Sequence, residues 1–222
     1  MASHTDKRYE EDLQNLKEMI LKMGGIVEEM IALAMKSLVE RNSKLVEEVI
    51  QKDPAANELE MAIDERCLEL LALHQPAASD LRFITIGLKI SKDLERIGDL
   101  GVNIVENAAE INKEPQLKPY VDLPIMAGKV QKMVKNALDA FVKQNPDEAQ
   151  KVCEVDDEVD DLNDQIFAEL VGLMQKEPQA VARGVRIISI AKHLERVADH
   201  ATNIAEEVIF MVQGKDIRHG KK

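Results

Sequence analysis

Two sets of polar residues recur at matched places along the chain: Glu95, Arg96, Asp99, Asn103 and Glu106, and again Glu195, Arg196, Asp199, Asn203 and Glu206. They belong to a stretch that the chain spells twice, Ile90 to Glu106 and Ile190 to Glu206, in which many apolar positions differ while these polar ones are retained. At about 100° per residue on a helix, Glu95, Asp99, Asn103 and Glu106 fall within an arc of roughly 80°, and the second set does the same. Like charges stacked at i,i+4 destabilise a helix by a few tenths of a kcal/mol, so the pattern calls for a positive partner. Carboxylates with an amide oxygen make a hard oxygen donor set, suited to Mg, Mn, Ca or non-haem iron rather than to thiolate-seeking metals.

A metal also needs donors from a second helix. In the C-terminal half the acids Asp156, Asp157, Asp160, Asp161 and Asp164 precede the signature, and the last four have helical spacing. Their N-terminal counterparts are mixed, with Asn57 in place of Asp160, Glu58 in place of Asp161 and Met61 in place of Asp164. Two unequal sites are therefore expected, the C-terminal one richer in carboxylate. The competing reading is an interhelical ion network with Lys92 and Arg96 as countercharge, and both signature arginines are assigned to such pairing. His193 and His200 face Asp93 and Leu100 in the other copy, so they are read as packed or solvent-facing rather than as ligands. Cys67 and Cys153 do not match across the copies and form no CxxC pair, which argues against a disulfide or a zinc site. No nucleotide loop, nucleophile motif or HExxH is present, and neither signature supplies the ExxH pair of carboxylate-bridged iron proteins.

The elements that must position these residues are helices. Aromatic residues make up 3% of the chain and Trp is absent, and the residues that dominate are those of packed helices. Leu13, Leu16, Ile20, Met23, Val27, Met30, Ala34 and Leu38 recur at three- and four-residue steps, predicting a long first helix from about Asp6 to Glu40. Gly24-Gly25 within it marks a bend or a close crossing. A short helix over Leu45 to Ile50 should end before Asp53-Pro54, where a second begins and runs to about Leu73. His74-Gln75-Pro76 breaks it, and a third helix carries the signature to about Ile111. The second half repeats this order: Met126 to Met133 aligns with Met23 to Met30, and Asn145 with Asn42, until three residues are lost near Gln175 to Pro178. The expected fold is all-α, a tandem repeat of two three-helix bundles over residues 1–113 and 125–222, joined by a proline-containing linker over 114–124. The formal charge of −12, with bases interspersed among acids, argues against nucleic acid as a partner. No apolar run is long enough for a transmembrane segment, and a soluble, cytoplasmic protein is expected.

Gln75-Pro-Ala-Ala-Ser-Asp-Leu-Arg82, Asp93-Leu-Glu-Arg-Ile-Gly-Asp99 and His193-Leu-Glu-Arg-Val-Ala-Asp199, set on a tandem helical repeat, resemble the PhoU family of bacterial phosphate-signalling regulators, from about Tyr9 to Val212. The resemblance implies a non-enzymatic cytoplasmic protein, an oligomer with a dimer favoured. It would restrain the phosphate-starvation response and modulate phosphate uptake, acting between the phosphate ABC transporter and its sensor histidine kinase at the inner face of the membrane. It also implies metal ions on oxygen ligands (Fe, Mn, Mg or Zn). Carried over by position, the ligands are Glu95, Asp99 and Asn103 in one half and Glu195, Asp199 and Asn203 in the other, with Asp160 from the second helix. The second half reads Glu177-Pro-Gln-Ala-Val-Ala-Arg183 where the first has the QPxAxDLR phrase, which confines any role of that loop to the N-terminal half. A carboxylate-bridged metal oxidase and a purely structural helical scaffold are the alternatives.

Overall fold

The apolar stripe of the first helix determines what the rest of the chain can pack against. In the computed structural model, which describes residues 2–215 and Ile217, with side chains from Lys7 onward, Leu16, Ile20, Met23, Val27, Met30, Ala34 and Leu38 are all buried. They lie on α1 (Ala2–Val39), which runs unbroken through Gly24-Gly25 and starts ahead of Asp6. It is followed by α2 (Leu45–His74), α3 (Ala78–Asn112), α4 (Asp122–Lys143), α5 (Pro146–Lys176), a 3₁₀ turn at Pro178–Ala180 and α6 (Val181–Gln213). No strand occurs among the described residues.

The helices form two three-helix bundles, α1 to α3 and α4 to α6, and the bundles share a centre. Helix α1 packs on α3, α3 on α6, α6 on α4 and α4 on α1, which closes a ring of four; α2 lies outside on α1 and α3, and α5 outside on α4 and α6. Buried side chains from all six helices make one continuous apolar cluster. Helices α3 and α6 are antiparallel: Arg82, Lys89 and Asp93 of α3 bond in turn to Met211, Glu207 and His200 of α6.

The corners repeat as well. Arg41 and Gln144, equivalent in the two copies, both take left-handed backbone (φ 53° and 51°) just after α1 and α4. The asparagine that follows each accepts backbone N–H groups at the next helix start, Asn42 from Lys44 and Asn145 from Asp147 and Glu148. One sequence expectation is corrected: α2 does not break at Asp53-Pro54, because Pro54 lies inside it. The proline removes the bond to the Ile50 carbonyl. Both residues are exposed, so water can satisfy that carbonyl. Pro124 falls in the first turn of α4, where a missing N–H costs nothing. Leu81, in the first turn of α3, is exposed although the helical period would place it with the buried Ile84.

Gly24 marks a close crossing rather than a bend. A Cβ there would come within 2.3 Å of Leu138 Cδ1 on α4, whereas a Cβ on Gly25 meets nothing within 4 Å. Gly24→Val is therefore expected to lower stability by about 1–3 kcal/mol through overpacking. Gly25→Ala is expected to raise it by about 0.5–1 kcal/mol through helix propensity. Urea midpoints of the two variants at unchanged slope test the pair.

Candidate functional site

Helices α3 and α6 are packed on three sides each, so every polar residue on them must find a partner on a particular neighbour. The signature carboxylates turn outward, toward the outer helices. In the N-terminal half the face of α2 that meets α3 carries Asp53, Asn57, Glu60 and Asp64. Glu60 accepts Lys92 Nζ at 3.2 Å, Ser91 Oγ lies 3.4 Å from Asp64 Oδ1, and Asn57 donates to Asp53 at 3.1 Å. In the C-terminal half Asp156 and Asp160 of α5 take the places of Asp53 and Asn57, facing Asp199 and Glu195 of α6.

Both walls are crowded with negative charge. Burial, reinforced by Asp99, pushes Asp53 and Glu95 above the usual carboxylate range. The crowding is greater in the C-terminal wall. Asp156 is pushed from an ordinary 3.8 to about 6 by burial and then by Asp199 and Asp160, with the Thr202 hydroxyl opposing the rise. Asp160 is raised by burial and Glu195, and Asp199 by burial, Glu195 and Asp160.

The countercharge is unequal too. In the N-terminal wall Arg96 places Nε 3.4 Å from Glu95 and its NH1 atom 3.0 Å from Asp99, and Lys92 bridges Glu60 and Glu95. In the C-terminal wall Lys192 holds Glu195 Oε1 at 2.6 Å, and that contact raises the lysine's own pKa. The Oε2 of Glu95 and of Glu195 is buried and accepts no hydrogen bond, but that of Glu95 has Arg96 Nε at 3.4 Å and Lys92 Nζ at 3.9 Å, whereas Lys192 meets Glu195 at its Oε1. A buried carboxylate oxygen without a donor is costly, and at Glu195 Oε2 an added cation would relieve that cost.

The chemistry of the donor set therefore suits a hard cation. Among the described residues no three His, Cys, Asp or Glu side chains already converge on one point, so each wall is an open donor surface rather than a closed cage. The ligands it could offer are Glu195, Asp199, Asp160 and Asp156 in one half and Glu95, Asp99 and Asp53 in the other. The structure does not bring Asn203 to the α5 acids. Its Nδ2 instead lies 3.5 Å from Asp93 Oδ1 on α3, beside His200 Nδ1 at 2.8 Å from the same oxygen. Asn103 holds the matching position on α3, about 80° round the helix from Glu95, and its side chain makes no hydrogen bond to the α2 acids among the described residues. Asp157, Asp161 and Asp164 are exposed, and Asp157 and Asp164 add to the negative charge around Asp160 from α5 itself.

Sequence reasoning passed over Asp53, Glu60 and Asp64, although residues 53, 57, 60 and 64 have the 0, 4, 7 and 11 spacing of one helix face. Both histidines are accounted for by packing. His200 pairs with Asp93 across the seam between the bundles; His193 is half-buried, with burial and then Arg196 holding its pKa low. The QPxAxDLR phrase forms a corner: Gln75 is the left-handed residue ending α2, Asp80 accepts the Tyr9 hydroxyl at 3.3 Å, and Arg82 Nε donates to the Met211 carbonyl at 2.8 Å.

A family model described as the PhoU domain matches the chain twice, over residues 20–108 and 123–208. A relative from Pseudomonas aeruginosa, named phosphate-specific transport system accessory protein PhoU homolog, is 39% identical over 99% of this chain and 91% of its own length. One of the same name from Aquifex aeolicus is 40% identical over 94% of each chain. The crystal structure of PhoU from Pseudomonas aeruginosa superposes with a TM-score of 0.90 at 39% identity, covering 93% of this chain and all of that one.

The raised acids give the metal-free protein a pH dependence of definite sign. Unfolded, the Asp156 carboxyl gives up its proton near 3.8, and folded only near 6, so the folded state binds more protons in between and stability falls as pH rises through that window. Asp156→Asn is expected to raise stability at neutral pH by about 1–3 kcal/mol and to flatten that fall, partly, since Asp160 and Asp199 contribute in the same sense. Denaturant titrations of chelator-treated protein across the acidic range test this; an unchanged slope would contradict the charge crowding.

Proposed function

The chain belongs to the PhoU family, and on that premise we propose that it is an accessory protein of a phosphate transport system, not an enzyme. In this reading it acts in the cytoplasm as a metal-binding adaptor between the phosphate ABC transporter and its sensor histidine kinase, working as a homodimer. It restrains the phosphate-starvation response and modulates uptake when phosphate is plentiful. The names of its relatives support the accessory role. No helix among the described residues is long and apolar enough to cross a membrane, so contact with membrane components would be made by docking.

The observation that supports the metal role is the buried Oε2 of Glu195, which accepts no hydrogen bond, set in a wall whose acids hold one another above their ordinary pKa. A bound Mg, Mn, Fe or Zn ion would add to Lys192 the positive charge that these crowded carboxylates call for. Glu195, Asp199, Asp160 and Asp156 would hold it, tying the outer helix to the inner one. The N-terminal wall is the weaker candidate, because Arg96 already occupies Glu95 and Asp99; that pairing favours the structural-scaffold reading for that half alone.

Untagged protein is expected to carry metal and to gain about 3 kcal/mol of stability when Mn or Mg is supplied at a hundredfold excess over its dissociation constant. Glu195→Ala with Asp199→Ala should abolish most of that gain and relieve repression of a phosphate-starvation reporter in phosphate-replete cells. Protein that holds no metal and melts at the same temperature with and without added cation would overturn the metal role and leave the scaffold. Intact repression in cells lacking the chain would overturn the regulatory role.

A further inference from the structure

The duplication provides an internal control for surface residues, because α2 and α5 occupy equivalent places outside the ring of four. On α2, Ile50, Pro54, Met61, Leu68 and Ala72 fall within roughly 40° of one another and all are exposed, Met61 and Leu68 at 62% each. This stripe runs about 33 Å along the helix. At the equivalent positions of α5, Pro54, Met61 and Ala72 become Asp157, Asp164 and Gln175, while Leu68 becomes Val171 and Ile50 becomes the buried Cys153. Phe167 is the large apolar side chain most exposed on α5, and it stands among acids. The fold therefore does not require an apolar residue at Pro54, Met61 or Ala72, and an exposed apolar stripe marks a contact surface.

The charges beside the stripe say what kind of contact. Glu58, Glu65 and Glu47 line one edge and Asp64 the other, all exposed. The bases of α2 are turned away: Lys52 binds Glu29 at 2.7 Å, and Arg66 binds Asp12 and Glu69. A second copy docked stripe to stripe would bring glutamates against glutamates, and an anionic lipid surface would meet the same acidic edges. We propose that the outer face of α2 docks an amphipathic helix of a partner protein whose apolar side is flanked by Lys and Arg. Its apolar ridge covers Met61 and Leu68, and its bases reach Glu58 and Glu65, so hydrophobic burial provides affinity and the charges provide orientation. The inference deepens the accessory role by giving it a docking face, and it is separate from the metal: the stripe lies on the side of α2 turned away from the ring.

The test uses the full chain and two synthetic helical peptides about as long as the stripe, with identical leucine faces, one flanked by lysines and the other by glutamates. The lysine-flanked peptide should bind and protect α2 amides from hydrogen exchange, and the glutamate-flanked one should bind at least about tenfold more weakly. Met61→Asp with Leu68→Asp should weaken binding of the first peptide at least about tenfold, about 1.4 kcal/mol, with unchanged melting temperature and metal binding. Glu58→Lys with Glu65→Lys should weaken it as well. Equal binding of both peptides, or binding that survives both variants, would overturn the proposal. So would a dimer in sedimentation that Met61→Asp with Leu68→Asp dissolves, which would assign the stripe to a second copy, or anionic vesicles that bind the native chain and not that variant. Peptide binding by protein that takes up no metal would leave this docking face standing and remove only the metal reading.

Discussion

The antiparallel packing of α3 on α6 is the constraint from which the other contacts follow. Each of these helices is also covered by a long helix of the ring and by an outer helix, which leaves little of its circumference free. A polar residue on such a helix cannot simply point to water, so its angle around the axis selects its neighbour. Glu95 and Glu195 are aimed at the outer helices; Asp93, His200 and Asn203 are aimed across the seam; Lys89 reaches the buried Glu207 at 2.9 Å on the same seam. The seam thus joins the bundles by ion pairs as well as by apolar burial. Only Glu207 is buried in the Lys89–Glu207 pair, the Lys89 side chain being 45% exposed, so the contact sets register while one charge stays in water.

Duplication followed by divergence explains the asymmetry of the molecule. The two copies share their corners, down to the left-handed Arg41 and Gln144, and the buried glutamate oxygen of the signature. What separates them is charge. The N-terminal wall has Asn57 where the C-terminal wall has Asp160, and Arg96 closes onto its own signature acids, so the first wall is largely neutralised from within. The second keeps an excess of carboxylate, which the rise of Asp156 to about 6 expresses. The outer faces diverge in the opposite sense, apolar on α2 and acidic on α5. One bundle is specialised inside and the other outside.

The legibility of these features in the sequence followed the range of the interactions involved. The stripe of α1 was readable because burial on a helix imposes a local period, and each expected residue from Leu16 to Leu38 is buried. The break at His74-Gln75-Pro76 was readable for a similar local reason. Pro54 misled because local propensity opposes a mid-helix proline, whereas packing of α2 on α1 and α3 holds the helix together and the lost bond faces water. The signature glutamates and aspartates were found by repetition. Glu60 and Asp64 were missed because their copies in the other half, Asn163 and Phe167, have drifted; Asp53 is matched by Asp156 but beside Pro54 reads as a helix start.

By itself the sequence determined the helical class, the twofold repeat and which carboxylates recur in both copies, because hydrophobic period and internal repetition are properties of a single chain read in order. Only the tertiary structure decided which partner each polar face received. It placed Asp156 and not Asp157 in the C-terminal wall, gave Asn203 to the seam instead of the α5 acids, and left Met61 and Leu68 uncovered. The physical reason is angular: about 80° around a helix separates Glu195 from Asn203, and that difference acquires meaning only when neighbouring helices are fixed on either side.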